Sequence, residues 1–243
     1  MDDHFRIRLA GVGIEIHPIK KIRIRNYCAK YLDNSAPAEI TIHTTEADLV
    51  NEDERAIIYQ GFGIDSDYEK ERLSIYRKIA EELPLFDLFL IHAVAIEKDG
   101  NAFLFSGSSG TGKSTHAGLW EKAYGDSIHF INDDKPLIRV TDESIFVCGS
   151  PWCGKEQRNQ NLTVPIKGIA CLKQARKNHI KRLEKADAYV SLINQAYRSN
   201  DPKIVKRTLS LVNSVVDRIP VFELECNTKE EAAHIAREAM EGR

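Results

Sequence analysis

An α/β fold with a largely antiparallel sheet is what this sequence predicts, and three observations predict it. Short apolar strands follow one another closely from residue 89 onwards, separated by turns rather than by helices. A hairpin signal, Lys98-Asp99-Gly100-Asn101, leads into the strand that runs up to Gly107-Ser108-Ser109-Gly110-Thr111-Gly112-Lys113-Ser114. Amphipathic helical segments flank this region on both sides in the chain.

Taken in order, residues 5 to 16 alternate through Phe5, Ile7 and Leu9 and shift phase at Gly11 and Gly13, which predicts a strand with a bend or bulge at the glycines. Ile22 and Ile24 alternate with Lys21, Arg23 and Arg25, predicting a second strand, so the basic stretch 17–25 reads as a solvated strand edge. Glu39 to His43 makes a third strand, bounded by Pro37, and Thr44-Thr45-Glu46-Ala47 starts a helix over 46–59. Ser66 or Asp67 caps a helix over 67–82 with Leu73, Ile75, Tyr76 and Ile79 on one face, and Pro84 ends it.

Phe89 to Ile96 reads as one strand carrying His92 in its middle, and 102–106 as its hairpin partner. Strands follow at 128–131, 137–140 and 145–148, then at 168–172 and 221–224, with helices near 184–198, 202–216 and 228–241. Short connections favour one compact unit over 1–243, in which 88–243 is a nucleotide-binding core and 1–87 forms either a separate layer or part of the main sheet.

Composition narrows the function classes. The chain has 243 residues, 42% of them apolar, enough for a substantial core; its 34 basic and 36 acidic residues nearly cancel, so no global field favours nucleic acid or a membrane. The start, Met1-Asp2-Asp3-His4, is acidic and lacks an apolar leader, and nowhere do eighteen apolar residues run together, so the expected location is the cytoplasm. Five cysteines, with no C-x-x-C pair, support neither a disulfide framework nor a zinc site; they read as small buried residues, with Cys153 in a polar segment the candidate for reactivity.

The segment Gly107 to Ser114 fits G-x-x-x-x-G-K-[ST] in full, after an apolar strand and before a helix over Ser114 to Tyr124. Glycines let successive N–H groups converge on one point, and the helix N-terminus adds partial positive charge, so phosphate oxygens meet several donors. Lys113 supplies a mobile charge and Ser114 a hydroxyl for Mg²⁺. Asp133 and Asp134 come twenty residues after Lys113, directly behind an apolar strand. Such a pair also occurs as plain surface turn residues; on a strand end the two side chains point to opposite faces, one free for a metal and one for an acceptor hydroxyl.

Four pieces carry a resemblance: Ile91-His92-Ala93-Val94, Gly107 through Thr115, Ile131-Asn132-Asp133-Asp134, and Ser150-Pro151-Trp152-Cys153-Gly154-Lys155. Over residues 88–175 the chain resembles the HPr kinase/phosphorylase group and, more distantly, the ATP-dependent phosphoenolpyruvate carboxykinases, which share a mixed-sheet P-loop fold. Thr115 stands where HPr kinases have glutamate, and Pro165-Ile166-Lys167-Gly168 where they have Glu-Ile-Arg-Gly. The resemblance therefore implies an ATP- and Mg²⁺-dependent kinase acting on another hydroxyl, in a peptide or protein serine or in a small metabolite. It implies Asp133 as base and Asp134 as Mg²⁺ ligand, or the reverse, and His92 beside the phosphates or the acidic pair. Homo-oligomers occur among related kinases, although no self-complementary patch is legible here.

Ser108, Ser109, Gly110, Thr111, Gly112 and Thr115 are expected around the phosphates together with Gly107, Lys113 and Ser114. Residues 150–161 read either as a mobile lid whose Lys155 and Arg158 close on the phosphates or as an ordinary solvated loop. His116 reads as packing or surface, and Trp120 as core. A non-catalytic nucleotide-binding regulator and a parallel-sheet NTPase are the competing readings; intact Asp133-Asp134 argues against the first, and the poor match of 219–223 to an apolar strand ending in Asp argues against the second.

Overall fold

The computed structural model describes residues 4–35 and 37–242, so the acidic start Met1-Asp2-Asp3 lies outside the described residues. The chain divides into two compact units, Met1–Phe86 and Asp87–Arg243.

In the first unit, β1 (Phe5–Leu9) and β2 (Val12–His17) form an antiparallel hairpin, and β3 (Ile40–His43) adds parallel to β2. The expected bulge is instead a two-residue turn: Leu9 pairs with Val12, and Ala10 and Gly11 take φ 49° and 91°. Both turn residues need positive φ when the turn twist matches the strands, which the glycine permits. The predicted strand over 21–25 is also corrected. It is a helix, α1 (Lys21–Tyr27), followed by a 3-10 turn over Ala29–Tyr31; Ile22 is 76% exposed while Ile24, Cys28 and Tyr31 are buried. Their i, i+4, i+7 spacing is helical, and it outweighs the two-residue alternation of the isoleucines.

Two longer helices follow as expected, α2 (Glu46–Gln60) and α3 (Asp67–Glu82). A capping box between Thr45 and Asp48 opens α2. From α3, Glu71 is fully buried; its carboxylate accepts hydrogen bonds from the N–H groups of Ile19 (2.5 Å) and Lys20 (2.8 Å) and from the Thr44 hydroxyl (2.5 Å). Glu71→Ala strands these donors and is expected to destabilise this unit by about 3 kcal/mol. Glu71→Gln keeps one acceptor oxygen and should lose less; urea unfolding of the two variants checks the order.

In the second unit, nine strands build one curled sheet: β4 (Leu88–Leu90), β5 (Ala93–Lys98), β6 (Asn101–Ser106), β7 (His129–Asn132), β8 (Leu137–Val140), β9 (Ile145–Cys148), β10 (Thr163–Gln174), β11 (His179–Arg182) and β12 (Val221–Cys226). Its path runs β4-β8-β9-β10-β6-β5-β7, with β12 pairing β10 and β11 pairing β12. Only the pairings of β10 with β6 and with β12 are parallel; the other named pairings are antiparallel. The sheet is therefore mixed and largely antiparallel. At the tip of β5–β6, Asp99 and Gly100 take φ 52° and 76°, a second two-residue turn.

Alternation along the strands separates two cores. Ala93, Ala95, Ala102, Leu104, Ile169 and Val221 face α5 (Lys185–Ile193) and α6 (Pro202–Arg218) through Leu192, Leu211, Val212 and Val215. Val94, Ile96, Phe103, Phe105, Ala170, Leu172 and Leu224 face α4 (Lys113–Tyr124) and α7 (Glu231–Glu241) through Ala117, Trp120, Ala232, Ala236 and Met240. Trp120 is core, as expected.

Two expectations here need correction. The predicted strand 89–96 is broken at Ile91 and His92, where the chain leaves its pairing with β8 and takes up pairing with β6 and β7. The helix predicted over 184–198 stops at Ile193, because residues 195–197 turn back to that break: His92 N–H donates to Gln195 O at 2.8 Å, and Tyr197 N–H to Leu90 O at 2.8 Å. Strand β11 had no strong apolar alternation to announce it. No helix among the described residues is long and apolar enough to cross a membrane.

Candidate functional site

Strand β6 ends at the buried Ser106, and the chain passes through Gly107–Gly112 directly into α4. Gly107 takes φ 147°, and a Cβ there would lie 2.9 Å from Thr111 Oγ1 and 3.3 Å from the Leu172 carbonyl of the adjacent β10. Only glycine fits. Thr111 closes the turn, its hydroxyl donating to Ser108 O at 2.8 Å, and the Gln174 side chain at the end of β10 donates to Gly110 O at 2.9 Å. Gly107→Ala is expected to cost about 2 kcal/mol in strain, seen in thermal unfolding of the purified variant as a fall in Tm of about 4–8 °C.

Helix α4 has no acidic residue in its first turn and no side-chain cap, so its leading N–H groups and their partial positive charge are left to other acceptors. Lys113 is buried, and its Nζ donates to the loop carbonyls of Gly107 (2.9 Å) and Ser108 (3.2 Å). Burial lowers the Lys113 pKa, Asp134 opposes that shift, and Lys135 adds to it. The side chains of Ser108, Ser109, Ser114 and Thr115 stand exposed around this point.

The two aspartates after β7 occupy different environments. Asp134 Oδ1 lies 3.2 Å from His92 Nε2 and 3.3 Å from Lys135 Nζ. Burial alone would raise its pKa, but the His92 hydrogen bond and the nearby positive charge outweigh burial and hold the carboxyl below its ordinary value. Asp133 is buried, its Oδ1 accepting from Gly154 N–H at 2.6 Å and its Oδ2 from Arg158 N–H at 3.4 Å. Here burial wins over the hydrogen bonds, and the Asp133 carboxyl is raised above its ordinary value, with Asp134 adding to the rise.

Asn132 sets this arrangement. Its buried side-chain carbonyl accepts from the N–H groups of Asp134 (2.9 Å) and Lys135 (2.7 Å), while its amide donates to Ser150 O (3.0 Å) and Trp152 O (3.1 Å). One side chain thus fixes the acidic turn and ties it to the segment over 150–152. His92 is held from the other side, its carbonyl accepting from the Ser106 hydroxyl at 3.3 Å. Its location in the strand break, rather than mid-strand, leaves the imidazole free to reach Asp134.

Residues 150–161 do not form a free lid. Ser150, Trp152 and Asn159 are buried, the Ser150 hydroxyl donates to Lys135 O at 2.6 Å, and Asn159 Nδ2 reaches Pro151 O at 3.3 Å and Cys153 Sγ at 3.0 Å. Lys155, Glu156 and Gln157 are the exposed tip. Arg158 departs from its expected role on the phosphates. Its guanidinium pairs with Glu121 of α4 and lies 3.4 Å from the centre of the Phe130 ring. Glu121 is eight residues into α4, so that pairing sits about 12 Å along the helix from its start.

The predicted residues His92, Lys113, Asp134 and the glycine-rich loop are thus brought together, with Asp133 adjoining Asp134 in sequence on a differently shielded carboxyl. Asn132, Lys135, Ser106 and Gln174 position the site and were missed; the asparagine and lysine directly flanking an acidic pair were the available signal. The donors at the loop, namely first-turn amides and the Lys113 ammonium, suit an anion. Ser114 Oγ and the ionised Asp134 offer hard oxygens of the kind a divalent cation takes. On the far side of α4's first turns, His116 is buried, accepts from Trp120 Nε1–H at 3.2 Å through Nε2, and is lowered by burial to a pKa of about 4.

Residues 69–232, about two thirds of the chain, match the family described as SynChlorMet cassette protein ScmC. No curated protein matches the chain.

Proposed function

We propose that this chain, which belongs to the SynChlorMet cassette protein ScmC family, is an ATP- and Mg²⁺-dependent kinase of the HPr kinase-like P-loop fold that transfers the γ-phosphoryl group to a hydroxyl. The acceptor is a peptide or protein serine or a small hydroxylated metabolite. The observation that carries the reading is geometric: a loop whose first position only glycine fits leads into α4, the buried Lys113 Nζ sits on its carbonyls, and the Asp134 carboxylate nearby is held by His92, with burial raising the adjacent Asp133 and, at Asp134, losing to the hydrogen bonding that lowers it. Pairs of carboxyls pushed apart in this way mark a division into a proton-transfer group and a permanently ionised one.

On this reading Gly107, Ser108, Ser109, Gly110, Thr111 and Gly112 wrap the phosphates with backbone N–H groups, and Lys113 leaves the loop carbonyls to neutralise the transferring group. Ser114 and Asp134 would hold Mg²⁺, which supplies charge neutralisation between the terminal phosphates. The Asp133 carboxylate accepts the proton of the acceptor hydroxyl as the new P–O bond forms and the bond to the β-phosphate oxygen breaks, releasing ADP. His92, hydrogen-bonded to Asp134, orients that carboxylate.

The test is to incubate the protein with γ-labelled ATP, Mg²⁺ and an extract of host-cell metabolites and proteins. Label is expected on a hydroxyl-bearing acceptor. Slow hydrolysis that no acceptor fraction stimulates would instead favour a nucleotide-binding regulator.

A further inference from the structure

The antiparallel register of β1 and β2 pairs Arg6 with Glu15 and Phe5 with Ile16, so the next residue outward, His4, comes alongside His17. On the other side, β2 pairs in parallel with β3 and sets His17 beside His43. Side chains two apart on a strand, and those directly across a pair, share a face. Phe5, Ile16 and Ile42 take the buried face, which leaves His4, Glu15, His17 and His43 together on the other.

The rings meet as this register dictates. His4 and His17 have ring centres 5.0 Å apart, and His43 stacks on His17 at 4.2 Å with 22° between the planes. Glu15 lies among them, with Oε1 2.8 Å from His17 Nε2 and Oε2 3.8 Å from His4 Nε2. One donor atom from each of His4, Glu15 and His17 lies within 4.8 Å of the others. Ligands bound at about 2.1 Å in a tetrahedron stand about 3.4 Å apart, so small side-chain rotations bring all three onto one ion. The cluster is half-buried, with side-chain exposures of 30% at His4, 29% at His17 and 15% at Glu15, so an ion can enter from solvent without opening the core.

The neighbouring charge selects among cations. Arg6 donates to Glu15 Oε2 through Nε at 2.7 Å and Nη2 at 2.6 Å. That guanidinium offsets the carboxylate's charge, which disfavours Mg²⁺ and Ca²⁺, ions held by several hard oxygens. Neutral imidazoles bind through their lone pairs instead, a donor type suited to Zn²⁺, Ni²⁺ or Cu²⁺. Arg6 also leaves Oε1 to the ion and fixes the carboxylate from behind, as hydrogen-bond partners of metal ligands commonly do.

We infer that His4, Glu15 and His17 bind one divalent transition-metal ion of the zinc class through the two Nε2 atoms and Glu15 Oε1. The Nε2 lone pair of each ring faces the ion, so the ring proton resides on Nδ1 in the loaded site. Three protein ligands leave the fourth position to water. The ion joins the residue before β1 to the last residue of β2 and so clips the open end of the hairpin, opposite the Ala10–Gly11 turn. The site lies wholly within the first unit and is independent of the proposed phosphoryl transfer.

Titration of the untagged full chain with Zn²⁺ by calorimetry, and with Co²⁺ by visible absorption, tests this. One tight equivalent of Zn²⁺ is expected, an excess of Mg²⁺ should not displace it, and Co²⁺ should give the intense d–d bands of a four-coordinate site. Removing a ligand should cost more than the about tenfold lost with an outer partner, so His4→Gln, Glu15→Gln and His17→Gln should each weaken Zn²⁺ binding by at least that factor. His129→Gln, at an exposed position of the second unit, should leave the affinity unchanged. Zn²⁺ should raise the thermal midpoint of wild type but not of His17→Gln. If the strand variants do not fold, His4→Gln, outside the strands, decides alone. Absence of a tight equivalent, its retention in any folded ligand variant, its displacement by Mg²⁺, or a six-coordinate Co²⁺ spectrum overturns the site.

Discussion

Asp133→Asn is expected to lower phosphoryl transfer by about 10³-fold, the middle of the range for loss of a general base, while nucleotide affinity stays within about threefold. The asparagine keeps a carbonyl oxygen to accept from Gly154 N–H, the shorter of the two bonds that hold the carboxyl, so the turn should persist. What disappears is the proton acceptor. The same residue should set the acid limb of the pH profile. Its pKa is raised by burial, so the limb lies above that of an ordinary exposed aspartate, activity being full above the raised value and lost as pH falls through it. In Asp133→Asn the residual rate should lose that limb. An Asp133→Asn enzyme with wild-type turnover and an intact limb would assign the base elsewhere, with Asp134 the first alternative.

Lys113→Ala should act on nucleotide binding as well as on transfer, and at least as strongly. The ammonium is buried against the loop carbonyls, in the field of Asp134 and Lys135. A phosphate would replace those carbonyls with a charged partner, an interaction worth about 2 kcal/mol, or about 30-fold in nucleotide affinity. Charge developing in the transition state should add about 10²-fold in rate. Losses in the double variant with Asp133→Asn should fall well short of the product of the single effects, because the two groups serve one step. Equilibrium binding and single-turnover transfer separate the two contributions. Unchanged affinity together with unchanged transfer would remove Lys113 from the site.

What the sequence made legible was local. The hairpin β5–β6 and the loop into α4 are written in consecutive residues: Asp99-Gly100 for the turn, three positive-φ glycines for the loop, and Ala117 and Trp120 for the packed face. Helix α1 was misread because Ile22 and Ile24 alternate over too short a span, whereas the deciding residues, Cys28 and Tyr31, lie beyond it. The break at His92 was hidden for a different reason. An unbroken apolar run contains no mark of where a strand exchanges β8 for β6 and β7, and the clamp from Gln195 lies about a hundred residues away. Arg158 was given to the phosphates by charge and composition alone. Its choice of Glu121 and Phe130 depends on how residues 150–161 dock through Asn132 and Ser150, which only tertiary structure determines. Motif chemistry could thus nominate the loop and the aspartates, but it could not supply the second rank of side chains that aims them.

On the proposed function, the amides of Gly107 to Ser114 receive a nucleotide's phosphates next to the paired carboxyls. Backbone amide resonances followed during titration with MgATP test it most directly. Saturable shifts are expected, concentrated at Gly107, Gly110, Gly112, Lys113 and Ser114, with smaller ones at Asp133, Asp134 and Gly154. Saturating MgATP that leaves those amides unmoved, or that moves a different part of the chain, would contradict it.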